Sequence, residues 1–396
     1  MCRGDGSPPL MAHNILLLFH CATNTGYAIA PLEQVFDAAA RIVAGATGHV
    51  HYAYQSMAGG RPQHLQGRSA DVTTVSYVGL SADEVAAFSR WVAEREIDLV
   101  LGFDLPLRAP VLSAIRAAGR AKVMAYWGAS ISGVYPWYLR PLRRLQYLAS
   151  PHRPDHYVFE SEGMRNGAVY GAMIPRDRTS LCRLGVDTDV FRPDASAPNY
   201  SHALWGIPAN RQIVFFSGHM EPRKGVDVLI RAFIQLLTIT GRRDLQLLLL
   251  GNKDGEAERF AHLYADTPVA THVTFGGYRN DLHRIHRDVA IGAISSTGWD
   301  SFTMSAVELA ASAVPLVVSD LPGLREAVVP DVTGLMVPAG NVAALASAIG
   351  RLADDASLRR QLGAAARERV LRDFSRHRQI MQIAETMRLS LSGASA

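Results

Sequence analysis

Residues 212–233 read QIVFFSGHMEPRKGVDVLIRAF, and this stretch decides the fold. Its first seven residues are mostly apolar and rich in β-forming types, which is typical of a buried strand. From Gly225 onward, apolar residues recur at three- and four-residue spacing, which predicts a helix to about residue 240. A strand that passes through a polar turn into a helix is the building unit of a parallel, doubly wound sheet.

The same alternation runs along the whole chain. We predict strands at 14–20, 48–55, 97–103, 122–128, 156–161, 212–218, 245–251, 272–277, 289–296 and 315–320. We predict helices at 33–45, 82–96 (capped by Ser81), 108–119, 138–149, 161–170, 225–240, 254–264, 280–287, 303–312 and through 341–390. This order predicts an α/β protein with two Rossmann-like parallel sheets.

The length of 396 residues exceeds what a single core supports, so two domains are expected. We expect one Rossmann-like domain in the N-terminal part of the chain and a second in the C-terminal part. The predicted segments are a flexible extension at 1–12, a first domain at 13–191, a linker at 192–208, a second domain at 209–372 and a last helix at 373–396. That last helix is expected to pack back on the first domain.

Composition excludes several classes of protein. A net charge of +4 in a chain of this length is too weak for a nucleic-acid partner. The three scattered cysteines Cys2, Cys21 and Cys182 argue against a disulfide framework and a zinc site, and favour a reducing, cytoplasmic location. The apolar run 15–19 is too short for a signal peptide or a membrane span, so no stable membrane insertion is expected, although peripheral association is possible.

The turn after the strand 212–218 carries Gly218, His219, Arg223 and Lys224. Only three of the 40 basic residues are lysines, which makes Lys224 conspicuous. Two cations beside the start of a helix form a potential anion site, and a diphosphate fits it. The alternative is a solvated Arg-Lys pair on a surface turn.

A second polar turn, 297–303, precedes the helix at 303–312. The backbone amides of Phe302, Thr303 and Met304 would point at a bound ligand, and the carboxylate of Glu308 could accept two vicinal hydroxyls. Alternatively, the side chain of Ser301 or Thr303 simply caps the helix and Glu308 is solvated.

Two further segments and one basic stretch are less specific. The small turn in 22–30, with Thr25 and Gly26, lets backbone approach a phosphate but is not a dinucleotide fingerprint. The Asp187-Thr188-Asp189 tripeptide suggests a metal site, which we reject because it lies beside the predicted linker. The arginine-rich stretch 138–154 could touch a membrane or an anionic acceptor, but we favour a solvated helix face.

Taken together, these turns resemble the retaining family-4, group-1 type glycosyltransferases of GT-B fold. The stretch FFSGHMEPRKGVDVLIRAF resembles the family pattern G-R-L-x-x-x-K-G-x-x-x-L-I-x-A-F, and LGVDTDVFRP resembles N-G-V-D-x-x-x-F-x-P. The stretch DSFTMSAVE aligns with the E-x7-E segment, and SDLPGLREAVVPDVTGLMVPAG resembles the region that follows it.

The resemblance implies a cleft between the two domains and a nucleotide-diphosphate sugar as co-substrate, with no metal and no other cofactor. The transferase would be retaining, and its acceptor would be a small molecule, a glycan or a lipid-linked molecule. The implied catalytic residues are Lys224 and Arg223 at the diphosphate and Asp300 at the transferred sugar. The implied donor-binding residues are Gly218, His219, Ser301, Phe302, Thr303, Met304, Glu308, Thr25, Gly26 and Tyr278.

Three residues depart from the family pattern. His219 stands where the family usually has an arginine, and Asp300 replaces a glutamate. Trp127 stands where many members have a histidine, so the acceptor contact would come from elsewhere, with Asp104 as one candidate. An epimerase-like GT-B enzyme and a protein that binds nucleotide sugars without transfer therefore stay open as alternatives.

Overall fold

The computed structural model describes residues 12–106, 109–129, 137–150, 152–194 and 199–393. Contacts divide the chain into two compact units. The first unit comprises residues up to Glu160, Met164–Cys182 and residues from Gln379 onward, and the second comprises Ser161–Gly163 and Arg183–Arg378. Most of the predicted extension at 1–12 lies outside the described residues.

The first unit is built on a seven-stranded, all-parallel sheet in the order β3-β2-β1-β4-β5-β6-β7. Its strands are β1 Ile15–Phe19, β2 Val50–Tyr54, β3 Asp71–Thr74, β4 Leu99–Phe103, β5 Lys122–Trp127, β6 His156–Phe159 and β7 Thr179–Leu181. Its helices are α1 Gly26–Ala44, α2 Ala82–Glu94, α3 Pro110–Ala117, α4 Arg140–Leu148 and most of α5 Glu162–Asn166.

The second unit has a six-stranded parallel sheet in the order β10-β9-β8-β11-β12-β13. Its strands are β8 Gln212–Ser217, β9 Leu245–Leu250, β10 Val273–Phe275, β11 Val289–Ile294, β12 Leu316–Ser319 and β13 Gly334–Val337. Its helices are α6 Tyr200–Trp205, α7 Val226–Thr240, α8 Ala261–Tyr264, α9 Leu282–Ile285, α10 Met304–Ala311, α11 Pro322–Ala327, α12 Val342–Asp354 and α13 Ala356–Asp373. The last helix, α14 Arg376–Ser392, crosses from the second unit to the first at Gln379.

Each sheet reverses its strand order beside its first strand. In the second unit the chain proceeds outward from β8 to β10 and then returns to place β11 on the other side of β8. The first unit does the same around β1 and β4. The loops after these paired strands diverge, so the carboxyl ends of β1 and β4, and of β8 and β11, are the expected ligand-binding edges.

The predicted doubly wound α/β class is confirmed, with local differences. The segment 192–208, predicted as a linker, contains helix α6, and residues 195–198 lie outside the described part of the chain. Helix α6 is anchored because the Ser201 amide donates to the Asp288 carboxylate over 2.6 Å. Helix α1 begins at Gly26, so the turn that we predicted over 22–30 is shorter and ends at Thr25.

Residues 183–191, which we placed in the first domain, contact the second unit instead. Val186 forms a parallel bridge to Ser375 and accepts a backbone hydrogen bond from Arg376. The ion pair between Arg376 and Asp187, at 3.0 Å, adds a second link to the same segment. In the first unit, the Gln379 amide donates to the Tyr126 hydroxyl over 3.4 Å, which ties the last helix to strand β5.

Candidate active site

The site that the sequence singles out lies in the second unit, at the carboxyl ends of β8 and β11. The turn after β8 contains the short 3₁₀ helix Pro222–Lys224, and helix α7 starts directly after Gly225. The turn after β11 runs from Ser295 to Thr303, where helix α10 begins. Because β8 and β11 are hydrogen-bonded neighbours, the two turns meet at one edge of the sheet.

A buried ion pair joins the two turns. The Lys224 ammonium lies 2.9 Å from Oδ1 and 2.8 Å from Oδ2 of Asp300. The Ser296 hydroxyl donates to the same carboxylate over 2.6 Å, and the Ser301 amide donates over 3.1 Å. Only 3% of the Asp300 side chain is exposed, against 13% of the Lys224 side chain. We assigned Lys224 to the diphosphate and Asp300 to the transferred sugar. In this structure the two side chains form an ion pair with each other.

Backbone contacts reinforce the junction. Gly225 has a φ of +64°, and a Cβ atom there would lie 2.0 Å from the Ser295 carbonyl oxygen. The Ser295 hydroxyl donates to the Gly225 carbonyl over 3.0 Å, and the Thr297 amide donates to the Arg223 carbonyl over 2.8 Å. A side chain at position 225 would force the turns apart, so glycine is required for this close approach.

Arg223 is held beside the pair by an aromatic ring. Its guanidinium lies 4.4 Å from the centroid of the Trp299 ring, a cation–π geometry. Its Nε donates to Glu221 over 2.6 Å, and a terminal nitrogen lies 3.8 Å from Asp300 Oδ1. The predicted second cation is thus placed at the edge of the site, with part of its charge compensated by Glu221.

Helix α10 begins without a side-chain cap. Thr303 occupies the cap position, yet its hydroxyl donates to the Ser301 carbonyl over 3.3 Å, so the predicted capping alternative is wrong for both residues. Within the residues that the structure describes, the amides of Phe302, Thr303, Met304 and Ser305 have no hydrogen-bond acceptor. Unpaired amides and the positive end of the helix dipole favour an anion at this position.

Phe302 and Ser305 fix the orientation of that amide row. The Phe302 ring is fully buried and packs edge-on against Phe374, with ring centroids 4.7 Å apart. The Ser305 hydroxyl donates to the carbonyl of Ser217, the last residue of β8, over 3.0 Å. The start of α10 is therefore anchored to the core and to strand β8.

Glu308 lies one turn further into α10 and is only 2% exposed. The alternative interpretation, a solvated glutamate, is wrong.

On the other side of the site, Gly218 follows β8 and donates its amide to the Leu250 carbonyl, while a Cβ at Gly251 would approach the Gly218 carbonyl to 2.3 Å. His219 comes next, and Tyr278, beyond β10, is half-exposed.

In the first unit, the two acceptor-side candidates follow neighbouring strands. Asp104, after β4, has a φ of +48° and accepts hydrogen bonds at Oδ1 from the amides of Gly128 (2.8 Å) and Ala129 (3.2 Å). Burial raises the pKa of its carboxyl group, and the two amides partly offset this effect. Trp127 ends β5, and its indole nitrogen is buried with no acceptor in the described residues.

Thr25 and Gly26 lie at the carboxyl end of β1. Thr25 donates its hydroxyl to the Ala22 carbonyl over 2.6 Å, and Gly26 opens α1 with a φ of +67°. Asn24 donates to the carbonyls of Gly59 (2.7 Å) and Arg61 (3.1 Å), which fixes the turn to the neighbouring loop. The turn therefore lies at the predicted ligand-binding edge of the first sheet.

Three residues at these edges were missed by the sequence analysis. Ser296 and Trp299 support the ion pair and Arg223 directly. Glu160, after β6, is buried, and its pKa is well above the usual range because of burial and the nearby Asp104 carboxylate. A Cβ at Gly128 would lie 3.3 Å from Glu160 Oε1, so Gly128 touches both carboxyl groups. The only sequence signal for Glu160 is a carboxylate placed directly after a buried strand.

The Asp187 carboxylate accepts hydrogen bonds from the amides of Asp189 (3.1 Å) and Val190 (3.2 Å), in addition to its ion pair with Arg376. Across the described ranges, no group of three or more His, Cys, Asp or Glu side chains is arranged to hold a metal ion. A search of the same ranges finds no helix that is long and apolar enough to cross a membrane.

Comparisons with known proteins agree with the geometry of the second unit. Residues 201–369 match the family described as Glycosyl transferases group 1. The chain is 32% identical over 201 residues to a D-inositol 3-phosphate glycosyltransferase of Nocardia farcinica, covering 49% of this chain and 44% of that protein. It is 28% identical over 286 residues to the protein of that name from Corynebacterium glutamicum, covering 63% of this chain and 67% of the relative.

Solved structures extend the similarity to the whole chain. A glycosyltransferase from Rickettsia africae superposes with a TM-score of 0.80 at 19% identity, covering 97% of this chain and 100% of that one. Anabaena HepE in complex with UDP-glucose gives a TM-score of 0.77 at 18% identity, covering 95% and 99%. The chain has the two-domain GT-B fold, and its residues 201–369 match the model of the group 1 glycosyltransferases, in line with the motifs.

Proposed function

We propose that this protein transfers a sugar from a nucleotide-diphosphate sugar to a hydroxyl-bearing acceptor. The observation that carries the proposal is the row of unpaired amides at Phe302–Ser305, which stands beside Lys224 and Arg223 where β8 and β11 diverge. The amides and the two cationic side chains would offer fixed hydrogen-bond donors and positive charge to a diphosphate without a metal ion. Relatives named as glycosyltransferases, and similar structures solved with UDP and UDP-glucose, support the same assignment.

In the proposed reaction, the bond between the anomeric carbon and the β-phosphate oxygen breaks, and its electron pair leaves with the diphosphate. Charge that develops on the phosphate is stabilised by the amides at the start of α10 and by the cations of the 222–224 turn. The acceptor oxygen attacks from the face that the phosphate leaves and passes its proton to a phosphate oxygen, so configuration is retained. No protein nucleophile is required for this sequence of steps.

Glu308 and Asp300 have distinct proposed roles. The buried Glu308 carboxylate would accept hydrogen bonds from the ribose hydroxyls of the nucleotide. Asp300 would hold Lys224 in position and accept a hydrogen bond from a hydroxyl of the transferred sugar. The donor-side residues Gly218, His219, Ser301 and Tyr278 would complete this site.

The acceptor-side proposal rests on Asp104. One carboxylate oxygen is held by two amides, which leaves Oδ2 to accept a hydrogen bond from an acceptor hydroxyl. Trp127 would supply an apolar wall instead of a titratable group. The acceptor could be a small molecule, a glycan or a lipid-linked molecule, and D-inositol 3-phosphate belongs in the tested set because relatives carry it in their names. We place the activity in the cytoplasm, in keeping with the unpaired cysteines.

A protein that only binds nucleotide sugars is the second candidate. It is favoured by one observation, the Lys224–Asp300 pair, which already neutralises the central cation. Calorimetric titration with UDP-, GDP- and ADP-sugars, followed by mass spectrometry of reactions with pooled acceptors, separates the two functions. Transfer or hydrolysis in the presence of chelator supports the proposed enzyme, whereas binding without turnover would contradict it.

The matched variants are Lys224→Met and Lys253→Met, because Lys253 is an exposed lysine of the same unit. Loss of one electrostatic donor at a leaving group costs about 3–4 kcal/mol of transition-state stabilisation, or at least a hundredfold in turnover. We expect that loss in Lys224→Met and near-normal turnover in Lys253→Met. Equal turnover in the two variants would remove Lys224 from the mechanism.

A further inference from the structure

Helix α4 exposes an apolar face on the first unit. The side chains of Leu142, Leu145 and Leu148 are 51%, 63% and 49% exposed, and Tyr138, just before the helix, is 64% exposed. At about 100° per residue, Leu142, Leu145 and Leu148 lie within about 120° of one another around the helix. The helix face that the sequence analysis expected to be solvated is exposed, but it carries leucines.

The opposite side of the same helix is fixed to the core. Tyr147 is 6% exposed and belongs to the hydrophobic core of the first unit together with Tyr157. Arg153 lies over the Tyr147 ring at 5.1 Å and donates to the carbonyls of Leu148 (2.7 Å) and Ser150 (3.0 Å). These contacts fix the rotation of α4, so the leucines face outward because of packing rather than fraying.

The stretch of sequence that contains this helix is strongly basic. Residues 105–154 contain eight of the chain's 40 basic residues and none of its 36 acidic ones. Arg140, Arg143 and Arg144 lie on α4 itself. A short helix that combines outward leucines with arginines and lacks carboxylates has the composition of an interfacial, membrane-surface helix.

We propose that the outward face of α4 binds the surface of an anionic lipid bilayer. The leucines and Tyr138 would enter the boundary between head groups and acyl chains, and the exposed Arg144 would contact lipid phosphates. A second copy of the chain fits less well, because a symmetric contact would bring the arginines of one helix against those of the other. The inference concerns binding alone and does not depend on the proposed transfer reaction.

The test is sedimentation of the full chain with vesicles of phosphatidylcholine, with and without one-third phosphatidylglycerol. We expect binding to the anionic vesicles that weakens as salt is raised, since surface charges are screened. Leu145→Glu should weaken binding at least tenfold. Its control is Ile239→Glu, which changes a 75% exposed isoleucine on α7 of the second unit and should have no effect.

A second pair of variants tests the charge. Arg144→Gln should weaken binding to anionic vesicles, whereas Arg360→Gln, at an exposed arginine on α13, should not. The proposal is overturned if anionic vesicles do not bind the wild-type chain, or if Leu145→Glu and Ile239→Glu bind equally. It is also overturned if light scattering shows that the wild-type chain is a dimer, that Leu145→Glu dissociates this dimer, and that the wild-type chain does not bind vesicles. Circular dichroism checks that each variant is folded.

Discussion

Replacing Lys224 with methionine tests how the two turns of the second unit are held together. The change removes the ammonium and leaves the Asp300 carboxylate, whose side chain is 3% exposed, without its cation. Asp300 keeps the hydrogen bonds from the Ser296 hydroxyl (2.6 Å) and the Ser301 amide (3.1 Å). We therefore expect the unit to fold but to lose stability.

The magnitude follows from the burial of the pair. Breaking a buried ion pair on one side costs about 3–5 kcal/mol, and the two retained hydrogen bonds place Lys224→Met near the lower end, at about 3 kcal/mol. Adding Asp300→Asn removes the uncompensated charge, so the double variant should return to within about 1 kcal/mol of the wild type. The double variant should then be about 2 kcal/mol more stable than Lys224→Met.

Urea titration read by hydrogen exchange of peptides from β8 and β11 reports the second unit separately from the first. Lys253→Met is the control and should change the free energy of unfolding by less than about 0.5 kcal/mol. An unchanged urea midpoint in Lys224→Met would refute the reasoning. So would a double variant that is no more stable than Lys224→Met.

Two further changes have defined outcomes. Gly225→Ala should cost more than about 3 kcal/mol because its Cβ meets the Ser295 carbonyl, whereas Gly241→Ala, at a similar φ with open space, should cost about 1–2 kcal/mol in the same urea assay. The pKa of Glu160 is raised in the folded protein, so the stabilisation that the protonated group provides is complete below the usual carboxyl pKa. As pH rises above that value, the free energy of unfolding falls by up to about 1.4 kcal/mol per pH unit. Glu160→Gln should abolish that slope between pH 5 and 8, and an unaltered slope would place the titration elsewhere.

Local patterns in the sequence were sufficient to predict most of the architecture. Strands such as β8 and β9 are mostly apolar, and Ser81 forms the predicted cap with Glu84 as its reciprocal partner. Strand β3 was missed because Asp71–Thr74 is short, polar and only partly buried at one edge of its sheet. Strand β7, strand β13 and helix α11 are similarly short, and each depends on neighbours distant in sequence.

The site was predicted less completely, for a physical reason. Sequence patterns placed Lys224 and Asp300 at adjacent turns, but not the 2.8 Å contact between residues 76 positions apart. Glu308 and Glu160 look like solvated carboxylates in sequence, and only the packing of α10 and of the first core shows that both are buried. The exposure of the α4 leucines likewise depends on which side of the helix packs against the core through Tyr147.

The most direct measurement is a crystal structure of the protein with bound UDP. The account predicts the diphosphate at the amides of Phe302–Ser305 within reach of the 222–224 turn, and the ribose at Glu308. A nucleotide bound with its phosphates away from the start of α10, or no bound nucleotide at saturating UDP, GDP and ADP, would contradict the central claim.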